Sequence, residues 1–95
     1  MSTGIARDNG MPFGTALALA QRGQRIARRG WNGKGMFLYH AVDAQFLPVG
    51  DSEHIATANA LPKAPFLVMK TADDKVVPWL ASQTDVLAND WCEVE

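Results

Sequence analysis

Apolar residues recur early in the chain at helical spacing. Phe13, Ala16, Leu17 and Ala20 fall at i, i+3, i+4 and i+7, the positions of one helical face. Pro12 suits the first position of that helix, because its missing N–H would go unpaired there anyway. Gly23 suits the end, where a left-handed backbone costs little. The pattern predicts a helix over 12–22, rich in alanine, on which a neighbour can pack closely. Next comes a short polar stretch with Ile26 and Ala27, then an apolar strand over 36–42. Between them lies Asn32-Gly33, a hairpin signal because both residues accept positive φ. Segments 25–31 and 35–42 are therefore expected to pair antiparallel, with Trp31 and Lys34 at the tip or edge of a sheet.

Residues 43–62 lack a clean period. Pro48, Gly50, Asp51 and Ser52 mark a turn, and a long loop is expected, with room for a short helical turn near 53–60. Loops of this length in small domains are often functional or mobile. Residues 65–71 read as a strand, 72–75 as a turn and 76–79 as the returning strand, where Pro78 indicates an edge or a bulge. Ser82 followed by Asp85 resembles a capping box and opens a short helix over 83–88. Residues 91–94 close the sheet, and residues 1–10 look like a frayed terminus. The expectation is one domain over 1–95 of the α+β class. A mainly antiparallel sheet packs around one principal N-terminal helix, with a short C-terminal helix.

Composition narrows the function classes. A chain of 95 residues builds only a modest core, and oligomerisation is a common aid at this size. The single cysteine, Cys92, allows no internal disulfide, and no Cys/His set has zinc spacing. No metal and no cofactor are expected. Neither a signal-peptide pattern nor a membrane-length apolar run is present, so a soluble, reducing, cytoplasmic setting is expected. The net charge of −1 is unevenly spread, with positive charge concentrated before residue 43 and negative charge after it. Near-neutrality argues against a general DNA coater, while the basic stretch suits a small anion or a solvated edge. His40 and His54 have no nucleophile beside them in sequence, Cys92 follows Trp91 in an expected strand, and Asp73-Asp74 sit on a turn beside Lys75. No P-loop occurs. These features favour a binding protein over an enzyme.

Two stretches could bind a ligand. In the first, Trp31 offers a flat face for a base, where stacking is worth about 1–3 kcal/mol. Asn32 can donate and accept, and Lys34 with the glycine amides can meet a phosphate. A tryptophan before a turn serves the core equally well. In the second, Trp79 precedes a helix start carrying Ser82, Gln83, Thr84 and Asp85, whose polar groups suit a ribose and whose unpaired N–H groups suit an anion. A plainer account has Ser82 and Asp85 capping the helix while Trp79 fills the core, and the residues alone tilt towards it. Trp91 lacks such polar companions and is assigned to the core.

These stretches carry a resemblance. Arg28-Arg29-Gly30-Trp31-Asn32-Gly33-Lys34-Gly35-Met36-Phe37-Leu38 and Val77-Pro78-Trp79-Leu80-Ala81-Ser82-Gln83-Thr84-Asp85, with 13–17, 69–73 and Asp90-Trp91, are similar to the second Thoeris anti-defence family of phage and prophage proteins. The resemblance implies a protein that binds and holds glycocyclic ADP-ribose, the Thoeris immune signal, without cleaving it, so that the host effector stays inactive. It implies a homotetramer with pockets between protomers, and some members capture cyclic oligonucleotides at a separate site. Carried over by motif, Phe13, Trp31 and Trp79 would wall the pocket, Asn32 and Met36 would line it, and Ser82, Gln83, Thr84 and Asp85 would hydrogen-bond ribose or base. Arg28 or Lys34 would offset the pyrophosphate charge, an inference from their charge alone. The chain departs from the family at Met11-Pro12, where many relatives carry a polar helix cap, and 43–62 has no motif that aligns. The alternative reading is a small single-stranded nucleic-acid-binding module built on the basic stretch around Trp31, which the acidic second half opposes.

Overall fold

The computed structural model describes residues 10–31, 35–43 and 49–95. Helix α1 spans Phe13–Gln21, with Pro12 extended at its N-cap. It ends in a Schellman motif: the Gly23 N–H donates to Ala20 O (3.0 Å) and the Gln24 N–H to Leu19 O (3.1 Å). Gly23 takes φ +98° there, a conformation that costs glycine little and other residues more.

Five strands follow: β1 (Arg25–Arg28), β2 (Phe37–Ala41), β3 (Phe66–Lys70), β4 (Val76–Pro78) and β5 (Trp91–Val94). They form one antiparallel sheet in the order β4-β3-β2-β1-β5. Side chains alternate between sheet faces, and Ile26 opposite Leu38 and Leu38 opposite Met69 build one apolar face. Ala16 and Ala20 of α1 lie fully buried on it together with Ile26, Leu38 and Trp91, while Met11, Phe13, Leu19, Leu67 and Met69 pack around this core. The expected α+β class and the principal helix are both observed. Cys92 is buried, its Sγ–H donates to Ala27 O (3.4 Å), and burial pushes its thiol pKa up, as an inert core cysteine requires.

The structure corrects one expectation, the placement of Trp31. The segments flanking residues 32–34 pair antiparallel as expected, but Trp31 is not at the tip. Strand β1 ends at Arg28, and Arg29–Trp31 wind into a 3₁₀ turn held by Asp90, whose backbone oxygen accepts from the Arg29 N–H (2.9 Å). That bond holds the turn against the start of β5, and Trp31 packs inward onto Trp91. Asn32, Gly33 and Lys34 lie outside the described residues. Within the stretch 43–62, expected as a long loop with room for a short helical turn near 53–60, Ser52–Ala60 form helix α2, started by the Ile55 N–H donating to Asp51 O (3.0 Å) and favoured by its alanines.

The short helix α3, Gln83–Val86, ends earlier than expected, at a Leu87 C-cap. Its capping matches the sequence: Ser82 Oγ accepts from the Asp85 N–H (3.1 Å) and donates to Asp85 Oδ2 (2.9 Å). Arg28 ties this helix to the sheet. Its Nη1–H donates to Asp85 Oδ1 and its Nε–H to Asp90 Oδ1, both at 2.9 Å. The Arg28 hydrogen bond is the main influence holding the Asp90 carboxyl below the ordinary aspartate range. At Asp85 burial pulls the other way and is the largest single influence, but the bonds from Arg28 and Ser82 together outweigh it and the pKa is again lowered.

Two outcomes follow from this architecture. Ala20→Leu would force α1 off the sheet and cost about 1–3 kcal/mol, read as a lower urea midpoint, and an unchanged midpoint would contradict the close packing. The Arg28 clamp adds acid sensitivity. Because its carboxyls ionise at lower pH folded than unfolded, their stabilisation is complete above the ordinary carboxylate value near about 4 and is lost as pH falls through the depressed folded values. Between about pH 7 and about pH 3, wild type should lose more stability than Asp90→Asn, and parallel urea profiles would contradict the clamp.

Candidate functional site

Four aromatic rings meet at one end of the helix-covered face. Trp91 of β5 is fully buried and forms the floor. Around it stand Phe13 from the first turn of α1 (ring centroids 5.1 Å apart), Trp31 from the 3₁₀ turn (5.5 Å, edge-on) and Trp79 just after β4 (6.0 Å, edge-on). Phe13 and Trp79 also touch, at 5.9 Å. Tilted and edge-to-face pairs are the favoured aromatic arrangements. The three outer rings are only half-buried, so each rests on Trp91 and keeps part of its surface free. Trp79 is placed by its backbone N–H, which extends the β3–β4 ladder onto Leu67 O (3.0 Å).

The polar residues stand on the same floor. The Trp91 Nε1–H donates to Asp85 O (2.8 Å), which fixes α3 against the buried indole. Ser82, Gln83 and Thr84 are exposed there, and Asp85 is half-buried. Ser82 and Asp85 cap the helix and bond each other, so the plainer sequence account holds for them, while Gln83 and Thr84 have exposed side chains. Met36 is half-buried just ahead of β2. Two distant motifs of the sequence, around Trp31 and around Trp79 to Asp85, thus converge on Trp91.

Arg28 is engaged by two carboxylates and is only partly exposed. Asp90 is the residue that sequence reasoning passed over, although it lies beside Trp91 in a motif already singled out. Its carboxylate accepts from Arg28 and, through Oδ2, from the Gly30 N–H (3.3 Å). Only the register that sets Arg28 opposite Trp91 brings these groups together, and no local pattern announces it. Elsewhere, Asp73 and Asp74 are turn acids: Asp74 pairs with Lys70, and Asp73 accepts from Thr71 Oγ1 (2.5 Å). Among the described residues no group of three His, Cys, Asp or Glu could hold a metal ion, and no helix is long and apolar enough to cross a membrane. The chemistry the site offers is stacking by partly exposed rings beside exposed hydroxyl and amide groups.

Comparison with known proteins agrees with the sequence motifs. The family described as the Thoeris anti-defense 2-like domain matches residues 11–94. A protein named Thoeris anti-defense 2, from Bacillus phage SP01, is 42% identical over 85 residues, which cover 85% of this chain and 91% of that protein. The match runs from Met11, whose backbone bridges Trp91, through β5, and so takes in every element that builds the aromatic site. The chain belongs to the Thoeris anti-defense 2-like family.

Proposed function

We propose that this protein counters Thoeris defence by binding a cyclic nucleotide signal of the glycocyclic ADP-ribose type and holding it intact, without turnover. The observation that carries this reading is the convergence of half-buried Phe13, Trp31 and Trp79 on the buried Trp91. Rings already fixed against a rigid floor lose little freedom when a base stacks on them, and preorganisation of that kind is where affinity is gained. Gln83 and Thr84 provide hydrogen bonds to ribose or base, Met36 and Asn32 line the pocket, and Lys34 meets the phosphates. A signal trap acts by mass action, and affinity near 10 nM corresponds to roughly −11 kcal/mol.

Pockets shared between protomers of a homotetramer are part of the same proposal. In the single chain Leu80 is 91% exposed and Leu87 74% exposed, on either side of α3. Apolar groups flanking a polar site are what a neighbouring copy would cover. Capture of cyclic oligonucleotides at a separate site is a further part of the reading.

Calorimetric titration with glycocyclic ADP-ribose, followed by chromatography of the ligand released on heating, tests the function. One-to-one binding with unaltered ligand recovered is expected, and altered ligand would overturn the non-enzymatic reading. Trp79→Leu keeps an apolar group on Trp91 but removes the stacking face, and should lose about 1–3 kcal/mol of binding. Thr84→Ala should weaken binding by roughly three- to tenfold, the scale of one net hydrogen bond, with no change in melting temperature. Full affinity in both variants would place the pocket elsewhere.

A further inference from the structure

Arg28 connects the two halves of the aromatic site, and the arrangement of its partners defines its role. Its guanidinium reaches two carboxylates on different segments, Asp85 in α3 through Nη1 and Asp90 ahead of β5 through Nε. Each carboxylate passes the connection on. Asp85 belongs to the capped turn that carries Gln83 and Thr84, and its carbonyl receives the Trp91 indole N–H. Asp90 receives the N–H of Gly30 through its second oxygen, and its backbone oxygen receives the N–H of Arg29. Those two residues are the start of the 3₁₀ turn that carries Trp31. A continuous chain of hydrogen bonds therefore runs from the polar turn of α3, through one guanidinium, to the turn that holds an aromatic wall.

We infer that Arg28 is a positioning residue of the ligand site: it sets α3 and the Trp31 turn in register with each other and does not itself serve as the phosphate counter-ion. This rests on the binding function proposed above. Two observations carry the assignment. The guanidinium faces two carboxylates, so the cluster as a whole is negative by one charge, which repels a pyrophosphate. The bonds also use the planar fork of arginine, whose separate N–H groups point at separate acceptors; a lysine ammonium lacks this fixed geometry. A counter-ion needs charge alone, whereas a clamp needs the fork.

The two roles predict opposite results for Asp90→Asn. If Arg28 met phosphate directly, Asp90 would compete with the ligand for it, and weakening that competition would tighten binding. If Arg28 positions the site, loosening the Asp90 end frees the Trp31 turn and weakens binding. Arg28→Lys separates the roles again, since it keeps the charge and loses the fork.

The experiment titrates wild type, Arg28→Lys and Asp90→Asn with glycocyclic ADP-ribose by calorimetry. It also records ¹H–¹⁵N spectra of the ligand-free proteins, following the Trp31 indole and the Gln83 and Thr84 amides. Both variants are expected to bind about tenfold or more weakly, the scale of a charged hydrogen bond that holds binding groups in place. Resonances of the Trp31 turn and of α3 should shift together in Arg28→Lys, while far-ultraviolet circular dichroism stays that of wild type. Wild-type affinity in Arg28→Lys, or tighter binding in Asp90→Asn, would overturn the inference. If Arg28→Lys fails to fold, Asp90→Asn decides by the sign of its affinity change. If wild type does not bind the probe, the proposed function fails, and the spectra decide the positioning role: a joint shift of Trp31 and α3 upholds it, and unmoved resonances overturn it.

Discussion

Trp91 makes ring contacts with Phe13, Trp31 and Trp79 and gives its indole N–H to Asp85 O. Its partners come from the first helix, the β1–β2 connection, the end of the β3–β4 hairpin and the short third helix. A large side chain that is fully buried dominates the energetics of a small core, and here it also fixes geometry. Its backbone contributes as well, exchanging two hydrogen bonds with Met11 (2.9 and 3.2 Å) and so closing the edge of the sheet where α1 begins. Gly10 permits that closure, because a β-carbon there would run into the Asn89 carbonyl oxygen. The same indole thus anchors the core and holds the aromatic cluster together.

The elements whose signal is local were legible in the sequence. The spacing of Phe13, Ala16 and Ala20 with the Gly23 stop gave α1, and the apolar runs gave β2 and β3. Ser82 with Asp85 gave the start of α3. The Asn32-Gly33 signal announced the antiparallel pairing of β1 with β2, but not the inward packing of Trp31, because Asp90, 60 residues away from Gly30, holds the 3₁₀ turn. Helix α2 was legible only as room for a short helical turn near 53–60. Its residues Ser52–Ala60 include one large apolar side chain, Ile55, so there was no apolar stripe to count.

For the candidate site, residue types were legible and their assembly was not. Trp31 and Trp79 were singled out without any means of knowing that both lean on Trp91, which had been assigned to the core for lack of polar neighbours. That assignment is right, and the same residue is also the floor of the aromatic cluster: a buried ring can be core on one side and scaffold on the other. Arg28 was marked for its charge. Its partners lie 57 and 62 residues away, and only strand register brings them within reach, so local spacing showed its charge and not the two carboxylates that bridge it.

The chain contains three tryptophans, and all of them lie in this one cluster, with Trp91 in contact with the other two. Indole emission from the intact protein therefore originates wholly at the aromatic site, and energy absorbed by one ring is readily passed to its neighbours. Coupled rings at fixed tilts also give a near-ultraviolet dichroic band that vanishes when the cluster loosens. Excited at wavelengths that tyrosine and phenylalanine do not absorb, the unlabelled protein is in this sense its own optical gauge, reporting the state of that corner of the fold.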